Sequence, residues 1–417
     1  YDTDSTCGTF QGDLVKTLDA AGNVVCYSSD ALHRITSAAS VSGPYSSTPS
    51  RYFVYDLATV DSVAMANAKA RLAEAYTCVS PCSTKLTDLG FSYNSLGQTG
   101  DVYESTPHSS GYYHLNSVYF PNGAVSQLSG LPGLPTINYD VDGEGRISMA
   151  SAPSGQNPLT NTTYNSASLP TQLTFGSLDS DSFNYDPYTD RMTEYQFNVN
   201  GQSLTGALTW NDNGSLAKLQ ITDPFSPSDN QTCNYTHDDL SRIASATCSS
   251  SPVWAQTFSF DAFGNINKSG TNSFQPTYSY LTNQMTEIGS STPTYDANGN
   301  VTNDFLHTYT WDANARPVTI DGVGITYDAL GRMAEQNRSG AYTQIVYSPA
   351  GSKLALMNAQ ALKKAMVPLT GKALAVYSST GILYYAHADL LGSIRLGTTT
   401  GRGMYFDTAY APMGETY

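Results

Sequence analysis

The sequence predicts an all-β protein, a long array of antiparallel hairpins with one short helix near residues 61–76. Three observations carry this reading. The first is a repeat: Tyr295-Asp296-Ala297-Asn298-Gly299-Asn300, Trp311-Asp312-Ala313-Asn314-Ala315-Arg316 and Tyr327-Asp328-Ala329-Leu330-Gly331-Arg332 follow one another at a step of sixteen residues. Self-similarity at a fixed period marks a repeat architecture. The second is composition: 30 Tyr and 34 Gly stand in a chain of 417 residues, with Ser, Thr and Asn throughout. Such a mixture is rich in strand and turn formers and poor in helix formers. The third is the chemistry of the unit. An aromatic suits the end of a strand, Asp accepts a hydrogen bond from a backbone N–H two residues on, and Gly supplies the positive φ of a tight turn.

Taken in order, the chain repeats this unit nearly from end to end. Leu18-Asp19 with Gly22-Asn23 is one copy, and Tyr27 to Ile35, with its Asp at Asp30, is another. Ser37 to Ser50 is rich in Ser, Pro and Gly and reads as a loop. Asp61 to Tyr76 breaks the pattern. Val63, Met65, Ala66, Lys69, Ala70, Leu72, Ala73 and Glu74 contain no Gly or Pro, and Asp61 or Ser62 can cap them. This is the expected helix, an insertion covering a sheet edge. Copies resume at Tyr93-Asn94, Tyr119 to Gly123, and Tyr139-Asp140. Pro153 to Pro170 reads as a long loop. Tyr185-Asp186, Trp210-Asn211 and Phe260-Asp261 with Gly264 lead into the regular stretch that includes Gly299, Gly331 and Arg332. The whole of 1–417 reads as a single array, looser over 1–138 with its helical insertion and tighter over 139–417.

Net charge is −15, with only 20 Lys plus Arg. Nucleic-acid binding through phosphate contacts is therefore not expected, nor is attraction to an anionic membrane. No apolar run reaches the roughly 20 residues of a spanning helix. Six Cys form three close pairs: Cys7 with Cys26, Cys78 with Cys82, and Cys233 with Cys248. Even count and local spacing point to disulfides and a secreted, extracellular or cell-surface location. Six reduced thiols in apolar sites are the alternative.

The unit Tyr-Asp-x-x-Gly-Arg/Asn-apolar resembles the YD repeat of Rhs proteins. Tyr384 to Leu396, which contains Asp389, Gly392 and Arg395, followed by Tyr410 to Glu415, is similar to the stretch near the Rhs core end. The resemblance implies a spirally wound sheet, either a shell or an open barrel-like wall. It also implies a toxin-enclosing role, with a toxic domain beyond the core as partner. This chain ends at Tyr417, short of the family's self-cleaving segment, so the resemblance carries over no catalytic residue.

Other motifs weigh less. Asp140-Val141-Asp142-Gly143-Glu144 lacks the spacing of a calcium loop and reads as a turn. Cys78, Cys82, His108 and His114 are a weaker zinc candidate than a disulfide. His387-Ala388-Asp389 with Ser393 places catalytic residue types near one another, but a hydrolase needs geometry, not adjacency. The Tyr ladder suits cross-strand packing first and sugar stacking second. Asn161, Asn213, Asn230, Asn234, Asn267 and Asn337 begin glycosylation sequons. The expectation is a non-enzymatic scaffold without cofactor or metal. The competing reading is an extracellular adhesive or structural protein, forming filaments with copies of itself or binding surface glycans.

Overall fold

The computed structural model describes residues 1–153, 155–249 and 254–416. These residues form β-strands, turns and two single-turn 3-10 segments, Pro227–Asp229 and Thr370–Lys372, with no α-helix. They divide into two compact units. One holds Tyr1–Leu134 and Gln284–Lys364; the other holds Pro135–Asn283 and Ala365–Tyr417.

In the first unit the strands Lys16–Leu18, Val24–Ser29, Ile35–Ser42, Ser50–Tyr55, Leu72–Cys78, Thr87–Tyr93, Thr99–Ser105, Tyr113–Tyr119 and Val125–Ser129 pair antiparallel in that order. A second run, from Tyr309–Trp311 to Lys353–Asn358, does the same. In the second unit one ladder runs from Ile137–Val141 to Ile266–Gly270. Another begins in the strand Ala361–Pro368, which belongs to this unit from Ala365 on, and runs to Met404–Asp407.

Asp328 shows why the unit makes a hairpin. Gly331 N–H donates to the Asp328 carbonyl (3.0 Å), and Asp328 N–H donates to the Arg332 carbonyl (2.9 Å). The Asp328 carboxylate accepts the Arg332 N–H at 2.8 Å and the Arg332 Nε at 2.7 Å. Gly331 takes φ 83°, the left-handed geometry that closes a turn followed by a bulge. The ladder register shifts between Thr326 and Tyr327 accordingly. Ala315 occupies the same place at φ 55° in the Asp312 unit.

The repeat also joins many of the hairpins to the one before, through the polar tip of the aromatic residue. Tyr327 donates its hydroxyl to the Pro317 carbonyl at 2.8 Å, Trp311 its Nε1 to Val301 at 2.7 Å, and Tyr295 its hydroxyl to Met285 at 2.9 Å. Tyr185 to Pro170 and Trp210 to Met192 repeat the bond. The turn Arg completes the link: Arg316 lies 4.5 Å from the Tyr327 ring centre and Arg332 4.5 Å from that of Tyr347. The aromatic position thus uses a polar tip as well as a flat face. Tyr327→Phe is expected to lower stability by about 1 kcal/mol, the net worth of one hydrogen bond. Urea unfolding checks this, and an unchanged midpoint would show that ring packing alone is what the position needs.

Three expectations are corrected. Residues 61–76 are not a helix. Thr59–Val60 and Val63–Ala64 form a small hairpin with Asp61 (φ 51°) and Ser62 (φ 62°) at its turn, and Leu72–Cys78 is an interior strand. Ala73 and Ala75 are fully buried at a spacing of two. Helix propensity differs by only a few tenths of a kcal/mol per residue among these types, and two neighbouring strands otherwise left with open edges outweigh it. Tyr139 and Asp140 are not the turn pair of their unit. The turn Asp is Asp142, which accepts the Arg146 Nε at 2.7 Å, while Asp140 lies in the strand opposite Met149. Finally, the expected loops are shorter. Ile35–Ser42 and Leu159–Tyr164 are strands, and of the second loop Ser154 lies outside the described residues.

Candidate functional site

In each unit the late run of hairpins meets the early run through polar and charged groups. In the second unit, His387 is fully buried; its Nδ1 lies 2.6 Å from Asp181 Oδ1 and its Nε2 2.8 Å from Thr398 Oγ1. The order hydroxyl–imidazole–carboxylate is that of a hydrolase relay. All three side chains are buried, however, and the Phe175 and Phe197 rings pack on the imidazole. Burial pushes the Asp181 carboxyl up. Nearby, Arg402 Nε donates to Asp179 at 2.8 Å.

Arg395 is the largest of these bridges. It is 2% exposed, donates Nη1 to the Thr408 carbonyl at 2.8 Å and places Nη2 3.2 Å from Asp223 Oδ2. Asp223 also caps the Phe225 and Ser226 N–H groups. Burial and then the neighbouring Asp223 push Asp407 up to about 7. Asp223, Asp229 and Asp407 each offer an oxygen within 4.8 Å of the others. The Arg395 guanidinium already supplies positive charge there, so the arrangement works as a buried ion cluster. Further on, Lys268 pairs with Glu415, whose other oxygen accepts from Gln256 at 2.8 Å.

The first unit has its own set. Glu335 accepts from Thr106 Oγ1 (2.8 Å), Gln344 Nε2 (2.9 Å) and the His108 N–H (3.1 Å), and its Oε1 lies 2.7 Å from His108 Nδ1. Glu104 is 2% exposed, and burial raises its pKa to about 8 despite Arg332 and the Tyr347 backbone N–H. This unit also contains an open cavity of about 640 Å³ whose wall includes Asp19, Tyr27, Arg51, Asn314 and Arg316. A smaller one of about 230 Å³ shares Tyr27 and Arg51 and adds Phe53 and Tyr55.

The residues singled out in the sequence fall into place as framework. Asp186, Asp261, Asp296, Asp312, Asp328 and Asp389 each accept backbone N–H groups of their own turns. Gly264 (φ 85°), Gly299 (φ 86°) and Gly392 (φ 94°) are the left-handed turn residues. Arg395, expected to define a repeat, sits two residues past the turn position held by Ser393 and is buried in its strand instead. His387 and Asp389 do not meet: His387 bonds to Asp181, while the Asp389 carboxylate caps Leu391, Gly392 and Ser393. Cys78 and Cys82, expected as a disulfide with zinc as the weaker reading, are bonded to each other. His108 binds Glu335 and His114 lies 2.8 Å from Asp101, so the zinc set is dispersed. Asp181, Asp223, Asp407, Glu104, Glu335 and Arg51 carried no sequence signal, because none belongs to a local motif.

Cys7–Cys26 and Cys233–Cys248 are joined as well. Cys233 and Cys248 face each other directly on neighbouring strands, with Cα atoms 3.9 Å apart. Peptide mapping without reductant is expected to recover three links. Replacing Cys233 and Cys248 by Ala is expected to cost about 3 kcal/mol, the loop-entropy value for roughly 15 residues. Six free thiols would overturn the oxidising-compartment reading.

No family model and no curated protein matches the chain. Solved structures do. TcdB2-TccC3-TEV aligns at a TM-score of 0.74 with 15% identity, over 98% of this chain and 24% of that one. TcdB2-TccC3 without its hypervariable C-terminal region aligns at 0.70 with 15% identity over the same shares. The Photorhabdus luminescens Tc holotoxin pore carrying TccC3-D651A aligns at 0.67 with 14% identity, over 97% of this chain and 24% of that one. The chain spans about a quarter of the length of these solved chains (24%). Together the hairpin repeat and this alignment identify the fold of the chain as the repeated-hairpin β-fold of these Tc toxin structures.

Proposed function

We propose that the chain is a wall segment of a secreted Rhs-type shell, a scaffold that carries out no reaction of its own and encloses a polypeptide cargo. The observation behind this reading is the alignment over 98% of the chain with Tc toxin components, by a fold in which successive hairpins are tied by aromatic side chains, as Tyr327 ties to Pro317. Three disulfides favour an extracellular setting. The one hydroxyl–imidazole–carboxylate relay noted above is sealed from solvent, which favours a structural role for it. The test is electron microscopy with limited proteolysis of the polypeptide as its gene encodes it. Hollow particles holding a protease-protected segment are expected. Filaments, or particles without enclosed density, would sink the shell reading in favour of an extracellular structural or adhesive protein.

A further inference from the structure

Lys268, Gln256 and Glu415 meet inside the second unit. On the paired strands Trp254–Phe260 and Ile266–Gly270, Phe258 stands opposite Lys268 and Gln256 opposite Gly270. Gln256 and Phe258 share a face, since side chains alternate along a strand. Lys268 is therefore the diagonal neighbour of Gln256 on that face, within reach of a long side chain. Glu415 comes from the C-terminal turn, where its carbonyl accepts the Ala411 N–H at 2.8 Å. One carboxylate oxygen of Glu415 contacts the Lys268 Nζ, and the other accepts the Gln256 Nε2 at 2.8 Å. A single carboxylate thus holds an amine and a carboxamide side by side.

The three groups lie in a dry, apolar setting. Gln256 is 1% exposed and Lys268 7%, and the buried Trp254 and Phe258 flank Gln256 on its own strand face. Gln256 Nε2 also donates to the Thr271 carbonyl at 3.0 Å, which fixes the amide with its nitrogen toward Glu415. Its buried Oε1 receives no hydrogen bond among the described residues. A buried carbonyl without a donor costs stability, so capping Glu415 is a poor account of this glutamine. Burial also disfavours the Lys268 ammonium and lowers its pKa. The uncharged amine is a nucleophile, and the adjacent carboxylate is placed to take up its proton.

We propose that Lys268 and Gln256 join in an intramolecular amide bond, with Glu415 as the proton carrier. The Lys268 Nζ attacks the Gln256 Cδ, and Glu415 takes a proton from the amine. The Cδ–Nε2 bond then breaks, and Glu415 returns that proton to the departing nitrogen. One amine and one carboxamide give one secondary amide and ammonia, with no oxidant or other co-reactant. An open cavity of about 440 Å³, lined by Lys268, Glu415, Phe274 and Met413, gives the ammonia its exit. The step modifies the chain once and turns over no substrate, so the finished scaffold carries out no reaction. It requires Glu415 in place, so the bond records that the C-terminal turn has docked on these strands. It does not depend on the shell reading, since all three residues lie within one unit.

Intact-protein mass spectrometry of the whole chain, with its disulfides reduced, tests this. The mass is expected to fall below the sequence value by one ammonia. Chymotrypsin, cutting at Phe258 and Phe263, is expected to release the Gln256 and Lys268 peptides as one branched species. Glu415→Gln keeps the shape but cannot carry the proton, and Lys268→Arg removes the nucleophile. Both variants are expected to show the full sequence mass and unlinked peptides, with an unchanged circular dichroism spectrum confirming their fold. The full sequence mass in the wild-type protein would overturn the proposal. So would an ammonia loss that persists in Glu415→Gln, or a loss of one water with Lys268 linked to Glu415 instead of Gln256.

Discussion

Arg395→Met is expected to destabilise the protein by about 3–5 kcal/mol, the usual cost of removing one partner from a buried ion cluster. The wild-type guanidinium is 2% exposed and is fixed by the Thr408 carbonyl and Asp223. Without it, Asp223 and Asp407 face each other with no cation between them. Met fills a similar volume, so the loss reports charge more than cavity. The defect should shrink at pH 5, where Asp407, already pushed up to about 7, takes a proton and one negative charge disappears. Urea unfolding at pH 5 and pH 8 reads both effects. An unchanged midpoint at pH 8 would mean that the cluster does not hold the last hairpins to the Asp223 strand. A defect of equal size at both pH values would mean that lost packing, not exposed charge, accounts for it.

The contrast between turns and bridges explains what the sequence could disclose. A turn closes within five residues, so Asp328, Gly331 and Arg332 are legible as a motif, and the all-β class follows from repeating it. The tie from Tyr327 to the Pro317 carbonyl was hidden because its acceptor is backbone, which leaves no residue signature. The helix at 61–76 was a wrong inference from local propensity. Leu72–Cys78 is a strand because its neighbours offer two ladders, a fact no window of that length contains. His387 and Asp181 lie 206 residues apart and Arg395 and Asp223 lie 172 apart. Their meeting depends on how one run of hairpins lies over another, and register at that distance is set by the whole array. The local pattern places Arg395 in the repeat but carries no sign of its bridge to Asp223 for this reason. The cavity at Arg51 was equally hidden, being built from strands and turns that lie far apart in the chain.

Glu104 gives the second large effect, with the opposite pH direction from ordinary acid denaturation. Its carboxyl is almost wholly enclosed; Arg332 and the Tyr347 backbone N–H favour its ionisation, and Asp328 opposes it. Burial wins, raising the pKa from the ordinary 4.5 to about 8. In the unfolded chain the group ionises above 4.5; in the folded chain it keeps its proton until about 8. Across that window the folded state binds the extra proton, so stability falls as pH rises, by about 1.4 kcal/mol per unit, and levels off above the folded value. Glu104→Gln keeps the shape and removes the titration. The variant should match wild type near pH 4.5, become progressively more stable than it toward pH 8, and show a flatter profile throughout. Thermal unfolding of both proteins at half-unit intervals measures the difference. Parallel profiles would show that Glu104 is ionised in the folded protein at neutral pH, with Arg332 outweighing its burial.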